Sequence, residues 1–221
     1  MLAQTETDVE FVVVDDGSTD ETPAILTATL HNVPFHVERL TLPHRVGVTR
    51  ALNAGLRRCR GTFVARLDAD DVMRRDRLAV QRWYLERNPA IGVVGSWSLL
   101  RWSDGRVTLD RTPESPEAIR RALHWRNPIA HPTVMIRRAL LERVGGYDES
   151  FPVAQDYDCW ARLSRLTDLS NLPNALTLRR MHPGQVSRRR TWARRWAQAR
   201  VRARVYAADW GAGPAYRAVA A

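Results

Sequence analysis

The sequence predicts an α/β fold: a mostly parallel sheet flanked by helices, followed by a basic amphipathic helix at the C-terminal end. Three observations carry this expectation. Short β-branched apolar runs alternate with amphipathic segments over the first ninety residues or so. Two of those runs stop abruptly in acid, at Asp15-Asp16 and at Asp68-Ala69-Asp70-Asp71. Past Asp168 the next acidic residue is Asp209, while arginine and tryptophan recur between them.

Glu10 to Val14 (EFVVV) is a buried-strand run that delivers carboxylates to a loop. Ser18 and Glu21 have capping-box spacing and Pro23 follows, so a helix is expected to about His31. Phe35 to Leu40 alternates as a second strand, Val48 to Arg58 reads as a helix, and Gly61 opens a third strand, Thr62 to Leu67. A helix from about Arg74 to Arg87 is stopped by Asn88-Pro89. After Ile91 to Trp97 the alternation fades, and Ser103 to Pro132 reads as a substrate-facing excursion. Thr133 to Ile136 is a short strand, Arg138 to Val144 a short helix, Gly145-Gly146-Tyr147-Asp148 a turn, and Asp156 to Leu166 a helix. Parallel sheets bind ligands at the carboxyl ends of their strands, where both acidic clusters fall.

Composition removes several classes. The 221 residues are 44% hydrophobic and 26% charged, the profile of a globular chain. No apolar run approaches the ~18 residues of a membrane-spanning helix, and no secretory leader is visible. Cys59 and Cys159 have no metal-like spacing, which favours a reducing cytoplasmic setting. The net charge of +10 comes from arginine alone, since the chain has no lysine. Ten arginines lie between Arg179 and Arg204, so the basic excess belongs to the C-terminal end.

The twelve glycines form neither G-x-G-x-x-G nor a P-loop. Carboxylates at strand ends hold a phosphorylated ligand through a divalent cation or through its base and sugar hydroxyls. The D-x-D of Asp68 and Asp70 suits one hard cation, Mg²⁺ or Mn²⁺. For either acidic cluster alone, helix capping competes with ligand binding; two clusters, each after a strand, favour a site.

The blocks Val12-Val-Val-Asp-Asp-Gly-Ser-Thr-Asp20, Ala65-Arg-Leu-Asp-Ala-Asp-Asp71, His131-Pro-Thr-Val-Met135, Gly145-Gly-Tyr-Asp148, Gln155-Asp-Tyr-Asp-Cys-Trp160 and Arg180-Met-His-Pro-Gly-Gln-Val-Ser187 occur in that order. Together they resemble the family 2 glycosyltransferases of GT-A fold, over roughly residues 2 to 190. The resemblance implies that Asp15 and Asp16 serve the nucleotide, with Asp16 toward a uracil-type base. It also implies that Asp68 faces the ribose or cation, that Asp70 ligates the cation, and that His182 approaches the diphosphate or metal. Asp156 is implied as general base, and Arg50 and Asn53 as polar contacts to the nucleotide. Inverting transfer needs one carboxylate apart from the cation-binding pair, a requirement Asp156 meets. Asp158 reads as structural, His131 as a turn or acceptor-site residue, and Cys159 as a small buried hydrophobe. Trp97, Trp102 and Trp125 suit either sugar stacking or packing.

Family members usually begin with a further strand ending in Pro and Tyr-Asn. The resemblance thus implies that the first strand is missing here and that two strand edges lie unpaired. The expected division is a transferase domain over 1–187 and a helical tail over 188–221. In the tail, Trp192, Trp196, Ala199, Ala203, Tyr206 and Trp210 form one stripe, with arginines mostly off it. That stripe suits either packing on the domain or contact with the inner, anionic face of the plasma membrane. The activity implied is transfer of a sugar from a nucleoside-diphosphate donor, UDP-linked by the base recognition, to a saccharide or lipid-linked hydroxyl acceptor. No nucleic-acid partner is expected. Two rivals remain: a non-catalytic relic of the fold, and a nucleic-acid-binding module using the C-terminal arginines.

Overall fold

The computed structural model describes residues 3–31, 33, 35–182 and 191–211, with side chains to 209 in the last segment. The expected α/β alternation is present: β1 (Glu10–Asp15), α1 (Thr22–Leu30), β2 (His36–Thr41), α2 (Val48–Leu56), β3 (Phe63–Ala65), β4 (Val72–Met73), α3 (Arg77–Arg87) and β5 (Ile91–Trp102). There follow β6 (Val107–Asp110), α4 (Pro116–Leu123), a 3₁₀ turn (His131–Thr133), β7 (Met135–Arg137), α5 (Arg138–Arg143), α6 (Gln155–Leu163), β8 (Asp168–Met181) and α7 (Trp192–Gly211).

The strands form a parallel pair, β1–β2, and a six-stranded sheet ordered β3-β7-β5-β8-β4, with β6 also on β5. Within the larger sheet only β5–β8 is parallel, so the sheet is mixed rather than mostly parallel. Connection length explains part of this. Ser103-Asp104-Gly105 turns β5 straight into β6, with Gly105 at φ 86°, and so short a link allows only antiparallel pairing. Among the described residues no backbone ladder joins β1 to the larger sheet. Side chains make that junction: the Glu10 carboxylate accepts the N–H groups of Arg60 and Gly61, just before β3, and Phe11 enters a core with Met135, Leu85 and Leu176.

The expected capping box does not form. The Asp15 carboxylate takes the Ser18 N–H at 3.0 Å, and Asp20 accepts the Thr22 N–H at 3.0 Å as α1 begins. The excursion over 103–132 contains β6 and α4, whose cap is Ser115 bonded to the Ala118 N–H. Strand β8 runs through Pro173 because the β5 partners jump from Leu172 to Ala175, leaving Pro173 and Asn174 in a bulge where no ladder donor is needed.

A second core unites α4, α6, β7 and α7 around the fully buried Trp160, Phe151 and Leu141. Helix α7 enters it through Ala197, Val201 and Val205. The stripe singled out from the sequence faces the other way: Trp192 and Trp196 are 83% and 69% exposed. The Trp210 side chain and residues 183–187 lie outside the described residues.

Candidate active site

Strand β3 ends at Ala65 and the chain turns through Arg66 to Asp71 before β4, which aims three carboxylates at one point. One oxygen from each of Asp68, Asp70 and Asp71 lies within 4.8 Å of the others. His182, just past β8, brings Nε2 to 3.5 Å from Asp70 Oδ2. The structure thus gathers the three expected cation residues, Asp68, Asp70 and His182, and adds Asp71. Asp71 Oδ1 accepts the Arg180 N–H at 2.9 Å. Burial, helped by the neighbouring carboxylates of Asp68 and Asp70, pushes Asp71 up to about 6 against that bond. Three oxygens and an imidazole form a hard donor set suited to Mn²⁺ or Mg²⁺.

The loop that presents these acids is held from behind. Arg77, wholly buried and without a carboxylate partner among the described residues, donates to the carbonyls of Arg66 (2.8 Å) and Val134 (3.0 Å), and Gln81 donates to those of Val94 and Thr133. Burial pulls the Arg77 guanidinium down to about 9. Nothing in a one-sequence reading separates such a buried arginine from the 33 others.

Asp156 stands in the first turn of α6, two residues after Ala154, whose φ of 60° is a left-handed value rare outside glycine. Its Oδ2 accepts from Asn127 Nδ2 at 2.7 Å and its Oδ1 from the Tyr157 N–H at 2.8 Å. Asp156 is half-buried as a residue, and the protein around its carboxyl raises the pKa by desolvation, against those two bonds and the charges of Arg66 and Arg194. A carboxylate so placed is a better base than a free aspartate. Arg66 links the two halves of the site, since it pairs with Asp68 and bears electrostatically on Asp156.

The first acidic cluster is built differently. Asp15 is buried, with Oδ1 on the Ser18 N–H and Oδ2 without a partner among the described residues. Asp16 accepts the Val46 and Gly47 N–H groups at 2.8 and 3.0 Å, one per oxygen, leaving a further lone pair on each. Asn53 does not project as a free polar contact. Its amide clasps the turn after α5, donating to the Tyr147 carbonyl at 2.8 Å and accepting the Tyr147 N–H at 2.9 Å. Arg50 pairs with Glu149 at 3.2 Å on the same turn. Nucleotide contact by either residue would compete with these bonds.

His131 bonds Tyr147 Oη at 2.8 Å inside the core, against Trp160, and burial drives its pKa well below the usual value, so it is a neutral packing group. Cys159 is buried and its thiol is pushed up to about 12 by desolvation. Asp158, with no exposed surface, takes Arg162 Nε at 2.8 Å and Arg204 of α7, which also reaches Asp148 at 3.0 Å. Trp97 and Trp102 bond their indole N–H to Thr112 and Thr108, whereas Trp125 is 70% exposed beside Tyr206.

The sequence pattern of Glycosyl transferase family 2 matches residues 1–145. The chain belongs to that family. Among relatives of this family 2 glycosyltransferase is the amylovoran biosynthesis glycosyltransferase AmsE of Erwinia amylovora, 31% identical over 185 residues that cover 83% of this chain and 68% of AmsE. The Escherichia coli UDP-Gal:alpha-D-GlcNAc-diphosphoundecaprenol beta-1,3-galactosyltransferase is 26% identical over 69% of this chain and 55% of its own. Solved GT-A structures superpose well. S. aureus TarS in complex with UDP gives a TM-score of 0.72 at 20% identity, covering all of this chain and 63% of that one. The mannosyltransferase PcManGT from Pyrobaculum calidifontis with GDP-Man and Mn²⁺ gives 0.64 at 21%, covering 98% and 71%. Among the described residues no helix is long and apolar enough to cross a membrane.

Proposed function

We propose that this family 2 glycosyltransferase moves a sugar, with inversion, from a nucleoside-diphosphate donor to a hydroxyl acceptor in polysaccharide or glycolipid assembly. The observation that carries the reading is the convergence of two unlike carboxylate environments: a three-acid cluster with His182, and Asp156 apart from it, joined by Arg66. Asp68, Asp70, Asp71 and His182 would hold Mn²⁺ or Mg²⁺. Such a cation, when bound, offsets charge on a departing diphosphate. Asp16, with a lone pair left on each oxygen, is an acceptor suited to a base N–H, which supports a UDP-linked donor. Asp156, whose charged form is favoured by the hydrogen bonds from Asn127 and the Tyr157 N–H, takes the acceptor's hydroxyl proton at Oδ1 or Oδ2. A lipid-diphosphate or saccharide acceptor is supported by what the relatives' names state of them.

The test is nucleotide release from UDP-galactose, UDP-glucose, UDP-N-acetylglucosamine and GDP-mannose with Mn²⁺ or Mg²⁺, against polyprenyl-diphosphate sugars and free saccharides. Activity abolished by chelator, by Asp70→Asn and by Asp156→Asn is expected; release that survives all three refutes the reading. Absence of UDP–Mn²⁺ binding by this chain would favour the relic. The same reading places the enzyme in the cytoplasm, where the exposed Trp192 and Trp196 beside Arg195 and Arg202 are the side chains that α7 would turn to an anionic membrane; vesicle flotation tests that contact. Arg200 and Arg204 are spent inside the protein on Ser150, Asp148 and Asp158, which weighs against a nucleic-acid surface.

A further inference from the structure

Asn127 lies in the loop between α4 and the 3₁₀ turn, a stretch whose role no sequence motif disclosed. Its Oδ1 accepts the Ile129 N–H at 3.2 Å, and Ile129 is fully buried, so the amide has a fixed face. The Asn171 side chain clamps the loop by donating to the Pro128 carbonyl at 3.2 Å and to that of Pro113 at 2.6 Å. With the oxygen occupied, only Nδ2 can point at Asp156, and it does so at 2.7 Å. Among the described residues Asn127 is the one hydrogen-bond donor that another element supplies to this carboxylate.

We propose that Asn127 is a positioning residue for the base: it fixes the Asp156 carboxylate in one orientation and favours its ionised form. The inference rests on the reading of Asp156 as base. The chemistry favours an amide here. An amide donates a hydrogen bond without titrating, so it steadies the anion and never competes for the acceptor's proton. With Asn127 on Oδ2 and the Tyr157 N–H on Oδ1, each oxygen keeps one lone pair for the incoming hydroxyl. The other groups that bear on Asp156 are Arg66 after β3, Arg194 on α7, Tyr147 in the turn after α5 and Cys159 on α6 itself. Burial raises the pKa of Tyr147 and of Cys159, so neither of them titrates alongside the carboxyl.

The experiment follows the Asp156 carboxyl directly. The chain is labelled with [¹³Cγ]aspartate, the resonance missing from Asp156→Asn is assigned to Asp156, and it is titrated from pH 4 to 9 in the wild type and in Asn127→Ala. Loss of a hydrogen bond to a charged group should weaken the acid roughly tenfold, moving the midpoint up by about one pH unit. Affinity for UDP with Mn²⁺ should not change, because neither partner of Asn127 belongs to the acidic cluster. A midpoint within about 0.3 unit of the wild type, in a variant with an unchanged near-ultraviolet spectrum, overturns the proposal. Should Asn127→Ala not fold, the wild type still decides. One Nδ2 proton of Asn127 must shift with the Asp156 midpoint, and an amide blind to that titration overturns the proposal.

Turnover separates this claim from the one beneath it. Asp156→Asn that still releases UDP from a UDP-sugar removes the base reading while the titration stands. A silent Asp156→Asn beside an Asn127→Ala that titrates like the wild type removes only the role of Asn127. With both claims correct, Asn127→Ala lowers kcat about tenfold at unchanged donor KM and moves the acid limb of the kcat profile upward by the same unit.

Discussion

Asp156 and Asp158 sit two residues apart on one helix, and their environments predict opposite consequences of the same substitution. Asp158 has no exposed surface and lies between Arg162, at 2.8 Å, and Arg204. At an effective dielectric near 20, two unit charges about 4 Å apart attract by about 4 kcal/mol. The Arg162 and Arg204 side chains are 20% and 40% exposed, which screens part of this, and an amide retains one acceptor oxygen. Asp158→Asn is therefore expected to cost about 3 kcal/mol, near the low end for a broken buried pair. That corresponds to a melting temperature lower by about 6 to 12 °C for a chain of this size. Asp156 behaves otherwise because burial raises its pKa above the unfolded value. A carboxyl so shifted favours the fold while protonated, and the advantage is lost as pH rises through the folded-state pKa. Asp156→Asn removes that loss, so its melting temperature should gain on the wild type as pH rises above the ordinary carboxylate range, while turnover vanishes. Circular-dichroism melts across pH, with nucleotide release measured alongside, test both. Equal destabilisation by the two variants, or an Asp158→Asn loss below about 0.5 kcal/mol, would refute the assignment of charge environments.

Ala154→Gly should raise stability by about 1 kcal/mol, read as a urea midpoint, because it relieves the left-handed φ of 60° ahead of α6. Gly17→Ala should lose about 2 kcal/mol or more, since a Cβ there meets the His44 carbonyl carbon at 2.6 Å and φ is 69°; the same urea titration shows it. Asp70→Asn and Asp71→Asn should each weaken Mn²⁺ binding at least tenfold by calorimetry without unfolding the chain, because both carboxylates are partly open to solvent. Arg77→Met, of similar volume, should cost about 2 kcal/mol by taking the donor away from the Arg66 carbonyl and from Gln81 Oε1, and should loosen the acidic loop toward proteolysis.

Legibility followed chemistry that repeats along the chain. Both acidic clusters and the α/β alternation were readable because each ends an apolar run, and Arg66 pairs with Asp68 and bears electrostatically on Asp156. Strand β8 was hidden by Pro173, which argues against a strand until a bulge is known to hold it. Helix α7 misled more instructively. Its tryptophans outweigh Ala197, Val201 and Val205 on any scale of hydrophobicity, yet the small stripe packs because Phe151 and Trp160 already fill that space, and Arg200 and Arg204 then lie over the Phe151 ring. Asn127 and Asp71 carried no signal of their own, since their partners lie 29 and 109 positions away along the chain.

The grip of Arg204 on Asp158 spans 46 positions of sequence. During synthesis at about 5 to 20 residues per second, α6 leaves the ribosome some 2 to 9 s before its second guanidinium partner does. Until then Asp158 has Arg162 alone, and the helix that carries Asp156 lacks its outer brace. The bracing of α6 is thereby tied to translation having run at least through Arg204, so that an early-terminated product is born without it.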